Sequence, residues 1–163
     1  MHRPFLLWPD RRLSETAVAV SEITNEILSI WEEMIRAMEA MPGVGLAAPQ
    51  LGIPLRLAVV DASDARGQAV RLANPVVTWI SDEVREHMEA SPNLPGVSAK
   101  VTRPAAVTVR YMDAQGDEAE RRFEGLWATS VQHQVDHLNG RVFIDRLSRT
   151  KRDILRRKAV KAR

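Results

Sequence analysis

His133-Gln134-Val135-Asp136-His137 lies inside a run, Leu126 to Leu138, whose apolar residues follow helical period and which ends at Asn139-Gly140, a C-terminal cap signal. On a helix, residues at i and i+4 project from one face, so His133 and His137 can share one metal ion. In hydrolases that use this spacing, a glutamate follows the first histidine and serves as general base toward a metal-bound water. Here that position is Gln134, a carboxamide of nearly the same shape with no titratable oxygen. Taken alone, the pair reads either as a metal site or as two histidines on a polar helix face.

Upstream of this helix, apolar residues at Ile23, Ile27, Trp31, Met34, Met38 and Met41 have the spacing of one buried helix face, predicting a long amphipathic helix from about Glu22 to Met41. Pro42-Gly43 ends it, because proline cannot continue a helix and glycine tolerates positive φ. Short β-rich runs follow: Leu55 to Asp61, Val70 to Asn74, Val76 to Ile80, Glu83 to Glu89, Ala106 to Met112 and Glu118 to Phe123. Asp113-Ala114-Gln115-Gly116 reads as a hairpin connection between the last two. A final helix is expected from about Lys151 to Ala162, with Thr150 and Asp153 placed like a capping box. The expected class is α+β: mostly antiparallel sheets around a central helix carrying H-x-x-x-H, with a long N-terminal and a C-terminal helix.

The 163 residues suit one domain, 1–163, able to bury a self-sufficient core. A composition of 45% hydrophobic and 27% charged residues is that of a soluble globular protein, and no apolar run reaches the 18 residues of a membrane span. After Met1-His2-Arg3-Pro4, the apolar patch Phe5 to Trp8 is too brief for a secretory signal, so the expected location is the cytoplasm. There is no cysteine, which excludes disulfides and thiolate chemistry. Charge is uneven. From Asp145 onward nine cations stand against Asp145 and Asp153, net +7 in a chain of net +2, leaving the body at −5. Such a tail suits either RNA phosphates or a solvated helix face.

Gly43-Val44-Gly45-Leu46-Ala47-Ala48-Pro49-Gln50 resembles the first motif of peptide deformylases, and Val131-Gln132-His133 through Gly140 resembles their third. Trp8-Pro9-Asp10 with Arg12-Leu13, Asn74-Pro75, Arg103, Gly125-Leu126 and Phe143-Ile144-Asp145-Arg146-Leu147-Ser148 extend the resemblance over nearly the whole chain in family order. These are metal-dependent hydrolases that take the formyl group off the N-terminal methionine of new proteins.

The resemblance implies a metal held by His133, His137 and a cysteine from a motif of the form E-G-C-L-S, one further residue, then Pro-Gly. The matching stretch is Glu89-Ala90-Ser91-Pro92-Asn93-Leu94-Pro95-Gly96. Serine stands in place of the thiolate, and a neutral hydroxyl is a weak ligand for zinc, iron or nickel, so at most a weakly bound divalent metal is expected. In the family, the backbone N–H after the cysteine and the first-motif glutamine, here Gln50, hold the formyl oxygen. Pro92 has no N–H to offer. Losing one such donor costs about 10²–10³ in rate, and losing the general base about 10²–10⁴. His87 shares a strand face with Glu89 and Ser91, but four residues of strand span about 13 Å, so it cannot take the vacated ligand position unless the segment bends. Glu89 and Arg103 match a family pair that looks like a buried ion pair; otherwise each is an exposed charge. Asp136 is expected to orient its own helix surroundings.

Three functions follow as expectations. The leading one is a catalytically inactive or very weak deformylase homologue, favoured as a monomer. It keeps a peptide cleft formed by Val44, Gly45, Leu46, Gln50, Ala90, Pro92 and the histidine helix, for formyl-methionyl or methionyl N-termini. The second is a hydrolase with an altered metal site in which Ser91 or water completes the shell. The third is a ribosome-associated protein acting through residues 146–163, as the family's use of a C-terminal helix at the ribosome implies.

Overall fold

In a computed structural model that describes residues 3–162, three helices and seven strands follow a short 3₁₀ turn at Arg11–Ser14. Met1 and His2, at the start of the chain, and Arg163, counted in the basic tail, lie outside the described residues. Helix α1 spans Asn25–Ala40 and buries Ile27, Ile30, Trp31, Met34 and Met38, the face that the apolar spacing marks. It begins three residues later than expected because Thr24 caps it, accepting from the Ile27 N–H at 3.2 Å.

The strands are β1 Gly45–Ala47, β2 Leu57–Val60, β3 Val70–Ile80, β4 Val84–Ala90, β5 Ser98–Pro104, β6 Ala106–Met112 and β7 Glu118–Glu124. A five-stranded sheet has the order β1-β2-β3-β6-β7 and a two-stranded sheet pairs β4 with β5, all antiparallel. Asp113 closes the β6–β7 hairpin by accepting from the Gln115 and Asp117 N–H groups at 2.9 and 3.0 Å.

The two runs expected on either side of Asn74-Pro75 are one strand. β3 shifts register between Ala73 and Val76, and Asn74 takes φ 50° there. Pro75 offers no N–H, while the Asn74 side chain pairs with the Val20 backbone in both directions, at 2.9 and 2.7 Å. Strand β5 escaped the reading because its inward positions are Val101 and Arg103, and an inward arginine breaks the apolar alternation that marks a strand.

Helix α2, Leu126–Leu138, has the expected bounds and is buried on nearly every side. Ala128, Val131 and Leu138 pack into the core formed by β2, β3, β6 and β7, while its polar residues face the β4–β5 side. Helix α3, Arg149–Lys161, starts earlier than expected, because its cap is Ser148, whose hydroxyl accepts from the Lys151 N–H at 3.4 Å, and not Thr150. Its Ala159 joins Leu94, Val97, Val101, Val142, Phe143 and Ile144 in a cluster under β5. Among the described residues, no helix is long and apolar enough to cross a membrane.

Gly140 ends α2 at φ 74°, and a Cβ there would lie 2.5 Å from the Ser14 carbonyl oxygen. Gly116 has φ 82° with open space around it. Gly116→Ala should therefore cost about 1 kcal/mol of backbone strain, and Gly140→Ala distinctly more, which urea denaturation of the two variants will measure.

Candidate active-site cleft

A cavity of about 480 Å³ opens between the Met41–Gly45 segment, the end of β4 with the loop after it, and the face of α2 that carries Leu126, Ser130, His133 and Gln134. Val44, Gly45, Gln50, Glu89, Ala90, Ser91, Pro92, His133 and Gln134 line it together. Leu46 does not. Its side chain is fully buried in the α1 core, because strand alternation turns it away from the cleft. His137 lies one turn deeper than His133 and is 1% exposed. His87 is half-buried on β4 and lines the wall. Gly45 is required by close approach: a Cβ there would sit 2.5 Å from the Gln134 amide nitrogen.

A chain of buried charges positions the histidines. The Arg103 guanidinium donates to both oxygens of Glu89 at 2.6 and 2.9 Å, and to Asp136 at 2.9 Å. Arg146 holds the same Asp136 from the far side at 2.8 and 2.7 Å. Glu89 in turn faces His133 Nδ1 at 2.8 Å. Burial pushes the Glu89 carboxyl up, but hydrogen bonds from His133 and Arg103 outweigh it and hold Glu89 ionised below its ordinary value. Asp136 follows the same balance, burial against Arg146 and Arg103. Burial pulls the Arg103 guanidinium down, but its two carboxylates, Glu89 and then Asp136, raise it above its ordinary value.

Glu89 can only accept, so His133 Nδ1 carries the proton toward it, and His133 Nε2 faces His137 Nε2 at 3.2 Å. Burial, and then the neighbouring His133, keep His137 neutral well below its ordinary range. Its Nδ1 is buried without a hydrogen-bond partner.

Two nitrogens on one tetrahedral metal at bond lengths of about 2.0–2.1 Å lie about 3.3 Å apart, so the two imidazoles fit. The third donor does not. Ser91 Oγ faces Asn93 Oδ1 at 3.1 Å, and receives the Asn93 N–H and the Gln50 amide, each at 3.3 Å. No three His, Cys, Asp or Glu side chains converge to hold a metal among the described residues. The donor set thus departs from the two histidines and thiolate that the sequence resemblance calls for.

Asn93 escaped the sequence reading. It is fully buried and gives its amide to the Leu6 and Gln50 carbonyls at 2.6 and 3.1 Å, while its Oδ1 takes the Gln50 amide nitrogen at 2.7 Å. Gln50 Oε1 accepts from the Ala47 N–H at 2.8 Å. The signal was a departure at the last letter of the second motif, serine in the family and asparagine here. Arg146, counted with the tail cations in the sequence, belongs instead to this network.

A two-histidine helix beneath a cleft, braced by a strand that ends in the facing loop, is the scaffold of a metallohydrolase. The family model for polypeptide deformylase matches residues 2–153. A peptide deformylase of Afipia carboxidovorans is 40% identical over 162 residues, spanning 98% of this chain and 95% of that one. The crystal structure of a peptide deformylase from Legionella pneumophila superposes with a TM-score of 0.92 at 36% identity, covering 99% of this chain and 95% of its own. That of the Ehrlichia chaffeensis enzyme in complex with actinonin gives 0.92 at 31%, covering 98% and 96%. The chain belongs to the peptide deformylase family.

Arg103→Met should destabilise the fold by about 3–5 kcal/mol, because it strands Glu89 and leaves Asp136 with one partner; chemical denaturation will show it. Acid should weaken the fold in two stages. His137 stays neutral when folded, so below about pH 6.5 the unfolded chain binds a proton that the folded chain refuses, and stability falls as pH falls. Glu89 and Asp136, depressed in the fold, contribute stability above their ordinary values that is lost as pH drops through their folded ones. His137→Gln should flatten the first stage, which sets in as pH falls below about 6.5, and leave the second.

Proposed function

We propose that the protein is a non-hydrolysing member of its family, whose cleft binds the N-terminal end of a peptide and leaves it intact. The observation that carries this reading is the state of the formyl-oxygen site. Pro92 has no N–H, and the Gln50 amide nitrogen is engaged by Asn93 Oδ1 at 2.7 Å. The transition state of amide hydrolysis places charge on that oxygen, and here no donor from either position meets it. Gln134 cannot accept a proton from water.

Charge balance supports the same reading. A thiolate and a glutamate together offset the two positive charges of a divalent cation, and Ser91 and Gln134 remove both. A cation held by His133 and His137 alone would be a buried, uncompensated charge beside Arg103. The cleft itself persists, with Val44, Met88 and Leu126 giving an apolar wall for an unbranched side chain. The relative that binds actinonin shares this fold.

The 3.2 Å between the two Nε2 atoms favours a second reading, a hydrolase with an altered metal site. Elemental analysis of freshly purified protein, with a formyl-Met-Ala-Ser turnover assay on the same sample and added divalent metal, separates the two. The proposal expects neither stoichiometric metal nor turnover. Metal near one per chain together with turnover would overturn it.

Arg149, Lys151, Arg157, Lys158 and Lys161 are exposed on α3 and support a contact with RNA phosphates such as those of the ribosome. Co-sedimentation with ribosomes that weakens steeply with salt is expected; salt-insensitive or absent co-sedimentation removes this contact.

A further inference from the structure

We propose that Arg66 is a positioning residue of the cleft, holding the Gly43–Val44 wall in the arrangement that receives a peptide, an inference that rests on the cleft being a peptide site. Met41, Pro42, Gly43, Val44 and Gly45 form one wall of the cavity, and Arg66 does not line it. Its guanidinium acts on the wall through a backbone atom. It donates to the Gly43 carbonyl at 2.6 Å, to the Asp61 carbonyl just after β2 at 2.8 Å, and to both oxygens of Glu39 in the last turn of α1 at 3.1 and 2.9 Å. One planar fork therefore joins the end of a helix, the end of a strand and the cleft wall that runs between them in sequence. A peptide unit is planar, so holding the Gly43 oxygen fixes the plane of the whole Gly43–Val44 link.

The backbone at Arg66 shows that these contacts matter to the loop. Its φ is 60°, in the left-handed region that strains a residue bearing a Cβ. The chain path alone would favour glycine there, so the side-chain contacts are what hold the arginine in place. The loop that presents it is closed by Asp61, which is fully buried and whose carboxylate accepts from the Ser63 and Gln68 N–H groups at 3.0 and 2.9 Å. The Val44 carbonyl receives the Asp61 N–H at 2.9 Å and the Ser130 hydroxyl at 2.8 Å, so Val44 is tied to the end of β2 and to α2. The Gly43 carbonyl, one residue earlier in the same wall, is held by the guanidinium. Loss of Arg66 frees that peptide to turn, and a ligand then has to order the wall as it binds, which lowers its apparent affinity.

Amide hydrogen exchange of the full chain, compared between wild type, Arg66→Gly and Arg66→Lys, tests the hold on the wall. The Gly43 N–H, bonded to the Met38 carbonyl at 2.9 Å, reports local opening, while amides inside α2 report opening of the whole fold. Arg66→Gly removes the guanidinium and relieves the strained φ, so Gly43 should exchange about tenfold faster, the weight of one charge-assisted hydrogen bond, while α2 changes far less. Arg66→Lys keeps the charge but cannot span the carbonyls and the carboxylate together, so it should restore Gly43 only in part. Unchanged Gly43 exchange, or exchange that rises only in step with α2, would overturn the proposal. Isothermal titration calorimetry with Met-Ala-Ser and formyl-Met-Ala-Ser reads the consequence: Arg66→Gly should weaken whichever peptide the wild type binds by about tenfold. Equal affinity of wild type and Arg66→Gly would overturn the positioning role and leave the peptide cleft standing. Failure of the wild type to bind either peptide would overturn the cleft reading, and the role of Arg66 in it.

Discussion

The Arg103 guanidinium stands between Glu89 and Asp136, and the geometry of the cleft depends on that position. Glu89 is the last inward residue of β4, Arg103 lies near the end of β5, and Asp136 is on the last turn of α2. One planar fork therefore ties the small sheet to the central helix, and Glu89 carries the tie on to His133. Each of these groups is nearly inaccessible, so their charges have to be matched where they are. Arg146 supplies the last match and thereby joins the turn before α3 to the same network. Removing a single member would leave an uncompensated buried charge, which is far more expensive than the pair is stabilising.

This is how the frame of such a site can be kept while the residues that face it differ. The frame residues are coupled to one another, whereas Ser91, Pro92 and Gln134 are coupled to the frame only through shape. Serine, glutamine and proline each fit the space they occupy, and none strands a charge. Loss of two negative charges at the histidine pair is tolerable if the cation they served is lost too. Asn93 adds a further tie, since its side-chain amide joins the second-motif loop to Gln50 and to the Leu6 carbonyl. The loop is anchored by hydrogen bonds among neutral groups, which are individually modest but fully satisfied.

How far the sequence could be read follows from the kind of interaction at each point. Helix α2 was legible to the residue because its period, and the Asn139-Gly140 end, are local signals. The long helix was legible in its buried face but not in its start, which Thr24 decides. Strand β5 was hidden because its core-facing arginine is buried by partners 14 and 33 residues away, Glu89 and Asp136, and no local pattern announces them. The Glu89–Arg103 pair came from family resemblance, but its extension to His133, Asp136 and Arg146 needed three dimensions. Leu46 was placed in the cleft by its neighbours in the motif, and the alternation of a three-residue strand moved it into the core. Asn93 carries no signal at all except its departure from the motif, because its role is a set of contacts to residues 6, 50 and 91.

The histidine pair shows that one spacing can carry two meanings. In a metal site, neutral His133 and His137 present two lone pairs that only a cation reconciles. Here Glu89 fixes the proton on His133 Nδ1, and the 3.2 Å contact is compatible with an N–H of His137 donated to His133 Nε2. The pair then satisfies itself at the cleft face, at the expense of an orphaned His137 Nδ1 in the interior. The same two side chains, on the same helix, serve as ligands or as a hydrogen-bonded brace according to what Ser91 and Gln134 offer across from them. Possession of the H-x-x-x-H spacing therefore reports the ancestry of the scaffold, while the residues facing it determine the chemistry.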